Sequence, residues 1–452
     1  MKRVCIALCA LALVASFVSV ASADHSLGGY YRMQFLNPQT YPVYYTLSDD
    51  RSLHSAEDEI DLGEPLPTGH RVYGSYTLQG ITTDLDEDGS LMNRLAAGYR
   101  YGFSNSWSLT YAGELDNTRR NQYLRQGSDR YKFYDDLDYE TTRAHLDYRS
   151  QNGFHLRAGV QGVWDNLDGM VLVDNALGLK AVARLGVIDA TIFYFNLYQE
   201  DKRRDDGDLY GLQLQYGLQG AVGVSAGLDF YDYSDKWSDV NFLGLHTDYN
   251  FGSTTVGGAF VYGFGDVTTP QPLESEYAAY AATIKATTLA GPVELGCRLF
   301  YFSGDDDPDD NEVNTYNAIH RFVFPNDGSL IFLWNAHSLA QKDTSLAFSS
   351  RGTKGASLSA AWAGDHTYLS TYLGYFSAVE EPTDEFATNK AKHMGTEVAM
   401  RMGYEFDSGL DLSLSGAKAF LGDYFDASPG GEDLDDLYIV YATVKMPFSF
   451  DF

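Results

Sequence analysis

From Tyr438 to Phe452 every even-numbered residue is apolar: Tyr438, Val440, Ala442, Val444, Met446, Phe448, Phe450 and Phe452. The odd positions from Thr443 onward are Thr443, Lys445, Pro447, Ser449 and Asp451. Side chains alternate between the two faces of a β-strand, so one face here meets an apolar medium and the other a polar one. The pattern recurs through Leu91–Phe103, Trp107–Leu115, Phe154–Trp164, Tyr210–Leu218 and Met394–Phe406. These strands come in pairs. Some connections are short, as at Ser104-Asn105-Ser106, Gln151-Asn152-Gly153, Gly252-Ser253, Gly364-Asp365 and Asp407-Ser408-Gly409. Others are long and mostly acidic, as at Asp201–Asp208, Gly304–Glu312 and Val379–Lys390.

Short turns on one side and long loops on the other are what a membrane β-barrel requires, and a soluble sandwich has no reason to sort them so. The pattern predicts an all-β, transmembrane, antiparallel up-and-down barrel of about 18–20 strands, with short periplasmic turns and long acidic extracellular loops. Ser26–Leu36 supplies a strand, and residues 37–69, rich in turn formers and acids, read as an irregular loop. His70–Thr83 alternates but breaks the up-and-down parity, and Val313–His337 reads as a hairpin or an extracellular excursion. The aromatic end of the last strand, Phe448, Phe450 and Phe452, resembles the signal that bacterial barrel-assembly machinery reads.

The N-terminus redirects what length alone would suggest. A chain of 452 residues would ordinarily make two or three soluble domains. Lys2 and Arg3 precede an apolar run from Val4 to Val20, and Ala21-Ser22-Ala23 completes the form of a secretory signal. Residues 1–23 are therefore expected to be cleaved, leaving 24–452 as one barrel in the bacterial outer membrane. No apolar run of helix-spanning length follows Asp24. The formal charge of −30 excludes nucleic acid as a partner, since phosphates demand a basic face. Cys5 and Cys9 fall in the signal. The remaining Cys297 builds neither a disulfide framework nor a thiolate metal cluster.

The polar faces of the early strands carry Arg94, Arg100, Arg143, Arg149, Arg157, Lys180 and Arg184, with His145 and His155 among them and Glu114, Asp116 and Asp147 nearby. Lining a water-filled pore, these twelve residues would set its selectivity, because a narrow lumen focuses their field. Paired across neighbouring strands, they would instead stiffen the wall. The stretch Asn117–Leu137, with Arg119, Arg120, Arg125, Arg130 and Lys132 among tyrosines, reads as a loop. Folded inward it would constrict the pore, and facing outward it would meet lipopolysaccharide phosphates. Asp84–Gly89 begins like a calcium loop, but Leu95 stands where such a loop needs a bidentate Glu. Asp305, Asp306, Asp307, Asp309, Asp310 and Glu312 are weak candidates for a loosely held divalent cation, or form a solvated acidic mouth. No P-loop, HExxH or GxSxG string occurs. Neither catalytic residues nor a cofactor are expected.

Three segments resemble the alginate-export family of outer-membrane porins. They are Gly28–Phe35 (GGYYRMQF), His155–Val182 (HLRAGVQGVWDNLDGMVLVDNALGLKAV), and the string Tyr301-Phe302-Ser303-Gly304-Asp305 continuing through Pro308, Asp310, Asn314, Thr315 and Tyr316. The resemblance implies an 18-stranded barrel with an arginine-lined, solute-conducting lumen. Val160 stands where the family's Gly-Arg-Gln string has arginine, so porin transfers better than alginate. The leading expectation is a passive channel for small hydrophilic or anionic solutes. Two alternatives bring periplasmic partners: the exit pore of a polysaccharide export machine, or a barrel sheath around a multihaem cytochrome. This chain has no CxxCH string, so in the second case the haem would belong to the partner.

Overall fold

The computed structural model describes residues 25–38, 74–78, 90–104, 106–122, 132–197, 207–218, 223–235, 238–268, 274–307, 310–319, 328–333, 351–381, 391–424 and 436–451. The signal segment, the Asp84–Gly89 run, Asp309 and Phe452 lie outside these residues.

The strands in chain order are β1 (His25–Pro38), β2 (Gly74–Leu78), β3 (Ser90–Gly102), β4 (Trp107–Gln122), β5 (Lys132–Arg149), β6 (His155–Trp164) and β7 (Val173–Leu185). There follow β8 (Ile188–Leu197), β9 (Gly207–Leu218), β10 (Gly223–Ser234), β11 (Ser238–Phe251), β12 (Thr254–Thr268), β13 (Glu274–Ala290) and β14 (Val293–Phe302). The chain ends with β15 (Glu312–Val313), β16 (Thr353–Ala363), β17 (Thr367–Ala378), β18 (His393–Glu405), β19 (Asp411–Leu421) and β20 (Leu437–Asp451). Setting aside the short β2 and β15, the described residues form 18 antiparallel strands, each paired with its neighbour in sequence. The last returns to the first, from Ser26↔Asp451 to Pro38↔Ile439.

Alternation does what the sequence predicts. On β5, Leu146 is 37% exposed while Asp147 beside it is 1% exposed. Leu177, Leu179, Ile192, Ile284, Leu299 and Leu358 project from the outer face, where lipid would receive them. The turns Gln151-Asn152-Gly153, Gly252-Ser253, Gly364-Asp365 and Asp407-Ser408-Gly409 join β5 to β6, β11 to β12, β16 to β17 and β18 to β19, all at one end. Both ends of the described chain lie at that end too.

Three expectations need correction. Much of Asn117–Leu137 is strand: β4 and β5 run 16 and 18 residues, well beyond the ~9–11 that cross a bilayer. They pair as far as Gln122↔Lys132, so the hairpin continues past the membrane on the long-loop side. The segment that broke parity holds β2, which pairs in parallel with Tyr30–Met33 and antiparallel with Val444–Phe448. It fills the place where β1 and β20 part, which is why it has no slot in an up-and-down count. The described residues of Val313–His337 form neither a regular hairpin nor a purely outer excursion; 320–327 and 334–337 lie outside them. Residues 316–319 and 328–333 carry no strand and include buried Tyr316, Leu330, Ile331, Phe332 and Leu333.

Candidate functional site: a lumen with two unlike walls

Because neighbouring strands are in register, the inner face can be followed around the barrel row by row. One row runs Ser108↔Asp147↔Arg157↔Lys180↔Phe193↔Gly211↔Tyr231↔Phe242. Its chemistry changes between β7 and β8, from charged to aromatic. The adjacent row does the same: Arg100↔Thr110↔His145↔Gly159↔Gly178↔Phe195↔Leu209↔Tyr233↔Val240.

On the charged wall Asp147 is the hub. Its Oδ1 accepts from His155 Nε2 at 2.7 Å and from Arg157 Nε at 2.8 Å, and His145 Nε2 lies 3.2 Å from Oδ2. His145 Nδ1 faces the Val160 carbonyl at 3.1 Å. Arg100 donates to Ser108 Oγ at 3.1 Å. Arg184 binds Asp189 through Nε and Nη2, at 2.8 and 2.9 Å, at the exposed turn between β7 and β8. Four of the predicted lining residues, His145, Asp147, His155 and Arg157, thus form one cluster. Arg143, Arg149 and Lys180 share its face, half-buried, and Glu114 is buried. Arg94 and Asp116 occupy facing positions of β3 and β4. Cross-strand pairing thus holds at Asp147, on a face that stays polar.

The opposite wall is covered from within. After Trp164 the chain does not turn back at the membrane edge; residues 165–172 fold into the lumen. Asp165 holds them: Oδ1 accepts from the N–H groups of Leu167 and Gly169 at 2.7 and 2.8 Å, and Oδ2 from Val171 and Leu172, both at 2.7 Å. Burial pushes its carboxyl up to about 6 against the pull of those four donors. Leu167, Met170, Val171 and Leu172 are buried with Phe195, Tyr231, Phe242 and Val261 of the wall. Burying each such side chain stabilises by about 1.5–3 kcal/mol. Gly244 permits the approach, because a Cβ there would run into the Leu167 side chain. Tyr316 donates to the Met170 carbonyl at 2.9 Å and Ile319 N–H to the Val171 carbonyl at 3.0 Å. The segment after the acidic stretch therefore packs onto the inward loop. Within that stretch Asp305 and Asp310 accept the N–H groups of Asp307 and Glu312. Among the described residues no three metal-ligating side chains converge.

A second inward segment, 328–333, is pinned from the wall. Glu397 of β18 accepts the N–H groups of Leu330, Ile331 and Phe332 at 2.5, 3.1 and 3.0 Å, and the Ser329 hydroxyl at 2.7 Å. Phe332 stacks on Phe376 at 4.3 Å between centroids.

Glu397, Asp165, Asp168, Lys285 and Arg298 stand outside the residues that the sequence pattern singles out. Asp168, at the loop tip, reaches Lys285 Nζ at 2.5 Å and lies 3.9 Å from Arg298 Nη1. Nothing in the sequence joins Lys285 to a loop tip 117 residues away.

No family model and no curated protein matches this sequence. Solved structures do. OccAB1 of Acinetobacter baumannii superposes with a TM-score of 0.58 at 10% identity, over 96% of this chain and 99% of that one. OprD of Pseudomonas aeruginosa gives 0.55 at 10% identity over 95% and 96%, and OpdK of the same organism, solved with vanillate, gives 0.50 at 11% over 95% and 98%. The likeness is to OprD-type channels rather than to alginate exporters, so what the three sequence motifs share with the latter extends to the porin barrel. This chain has the fold of the outer-membrane β-barrel porins.

Proposed function

We propose that this protein is an outer-membrane channel for the passive diffusion of small hydrophilic solutes, with a preference for anions. The observation that carries this reading is the inner wall of β3 to β7, where Arg100, Arg143, Arg149, Arg157 and Lys180 face a lumen narrowed from the other side by residues 165–172. A cationic wall beside a constriction acts on a solute at short range, where water screens least. Most acids of the sequence fall in stretches that its alternation predicts to be loops outside the membrane, and at physiological salt their field decays over a Debye length of ~8 Å. The excess of acid over base in composition therefore tempers entry rather than passage. Vanillate, found in one barrel of the same fold, is a carboxylate, which supports an anionic cargo. Against a polysaccharide exit or a cytochrome sheath stand the two inward segments, whose buried apolar side chains occupy room that a polymer or a haem protein would need.

The test is a planar-bilayer recording of the purified, heat-modifiable protein under a potassium chloride gradient. Stepwise conductance with an anion-favouring reversal potential supports the reading; cation preference, or no conductance from folded protein, overturns it. An epitope inserted at Asp307 should label on intact cells, since Gly304–Glu312 lies opposite the short turns.

A further inference from the structure

Lys285 of β13 and Arg298 of β14 are direct partners across the ladder, on the inner face of the barrel. Like charges placed opposite one another are destabilising unless an anion lies between or beside them. Here that anion comes from another part of the chain: the carboxylate of Asp168, with Lys285 Nζ at 2.5 Å and Arg298 Nη1 at 3.9 Å. Three further observations make this tip a built element. Asp168 has φ of 63°, and is the one non-glycine residue with positive φ among the described residues; Gly169 follows with φ of 74°. Two successive left-handed residues push the tip out of the loop, a conformation that side-chain-bearing residues adopt only when something holds them there. The base of the loop is fixed around Asp165, so the tip arrives at the cations already oriented. Finally, the neighbourhood is mixed, with His246 of β11 within electrostatic reach of Asp168, Lys285 and Asp248.

We infer that Lys285 and Arg298 form a carboxylate-binding site in the lumen, and that Asp168 is its resident occupant, displaced when a solute carboxylate takes its place. This rests on the anion-channel reading and deepens it: the site names a point of contact and couples solute binding to release of the loop tip. A tethered carboxylate competes as a ligand at an effective concentration of roughly millimolar or more, so free carboxylates bind the wild-type channel weakly and leave quickly. Conduction needs that weakness. The resident group also keeps two facing cations compensated while the channel is empty.

The experiment records open-channel current from the full-length protein while benzoate is titrated, with uncharged benzamide as the control. Asp168→Asn keeps the shape of the tip and removes its charge. Its half-blocking benzoate concentration should fall about tenfold relative to wild type, as expected when an intramolecular competitor is lost. Lys285→Gln, alone or combined with Asp168→Asn, should raise that concentration above the wild-type value. Benzamide should not distinguish the variants. Equal benzoate block in wild type and Asp168→Asn, both folded by heat-modifiability, would overturn the inference while leaving the anion channel intact. A cation-selective wild type would instead overturn the parent reading. Should Asp168→Asn fail to assemble, Lys285→Gln decides alone: unchanged benzoate block contradicts the site and weakened block supports it.

Discussion

The wall from β3 to β7 and the wall from β8 to β13 are built from the same alternating strands, yet their inner faces obey different physics. On the first, Asp147 gathers His145, His155 and Arg157 into a polar cluster. On the second, Phe195, Tyr231, Phe242 and Val261 pack against an inward loop as a soluble core would. The change happens within a single row, between Lys180 and Phe193. A charged wall cannot be covered by an apolar loop without burying unpaired charge; an aromatic wall cannot stay open to water without losing its burial. Each wall therefore fixes what can lie beside it: the first stays polar and open to water, the second is covered by an apolar loop.

Removing Asp165 should break this arrangement most severely. Asp165→Ala leaves four backbone N–H groups without an acceptor, each costing about 1–3 kcal/mol if it stays buried. A net loss of about 4 kcal/mol would change the packed-to-displaced ratio of the loop nearly a thousandfold. Single-channel conductance should rise, with more current noise, while the sign of selectivity holds. Unchanged conductance would mean that residues 165–172 do not obstruct the path.

Next in size is the charged wall. Replacing Arg143 and Arg157 together with Gln should shift the reversal potential toward cations. Arg157 matters doubly, because its loss strips Asp147 of one partner, and breaking a buried pair costs about 3–5 kcal/mol. The folded, heat-modifiable fraction should fall somewhat in the same variant. Glu397→Gln should act more mildly on the other inward segment, since an amide oxygen still accepts some of the donors from residues 329–332. Faster proteolysis near 328–333 in otherwise folded protein is the expected readout.

The smallest effect follows from pH. Asp165 is raised from the usual carboxyl value to about 6 in the folded loop. A raised carboxyl favours the folded state below its unfolded pKa near 4, and that contribution fades as pH climbs through about 6. Loop-associated current noise should therefore be lower at pH 4.5 than at pH 7.5. Asp165→Asn should lose this dependence.

How much of this was legible beforehand follows from the range of the interactions. Alternation is local, so the strands, their pairing, the short turns and the face of Arg100, His145, Asp147 and Arg157 could be read from the chain. The aromatic wall was written in the same alternation at Phe193, Phe195 and Leu197. What covers it was not, because Trp164–Leu172 has no period and its partners, Asp229, Lys285 and Tyr316, come 63 to 146 residues from it. The acidic stretch after Ser303 read as a mouth facing solvent, whereas its continuation at Tyr316 and Ile319 turns back onto the inward loop. Alternation puts Glu397 on the polar face of its strand, but the three N–H groups it accepts come from a segment 65 to 67 residues away.

The division of labour between the walls is tested most directly by the reversal potential under a potassium chloride gradient, recorded in parallel for wild type, Arg143→Gln/Arg157→Gln and Asp165→Ala. The account predicts an anion-favouring wild type, a shift toward cations in the arginine double variant, and the wild-type sign at higher conductance in Asp165→Ala. If the double variant keeps the wild-type potential while shortening Asp305–Asp310 moves it, the acidic mouth governs selectivity and the account is wrong.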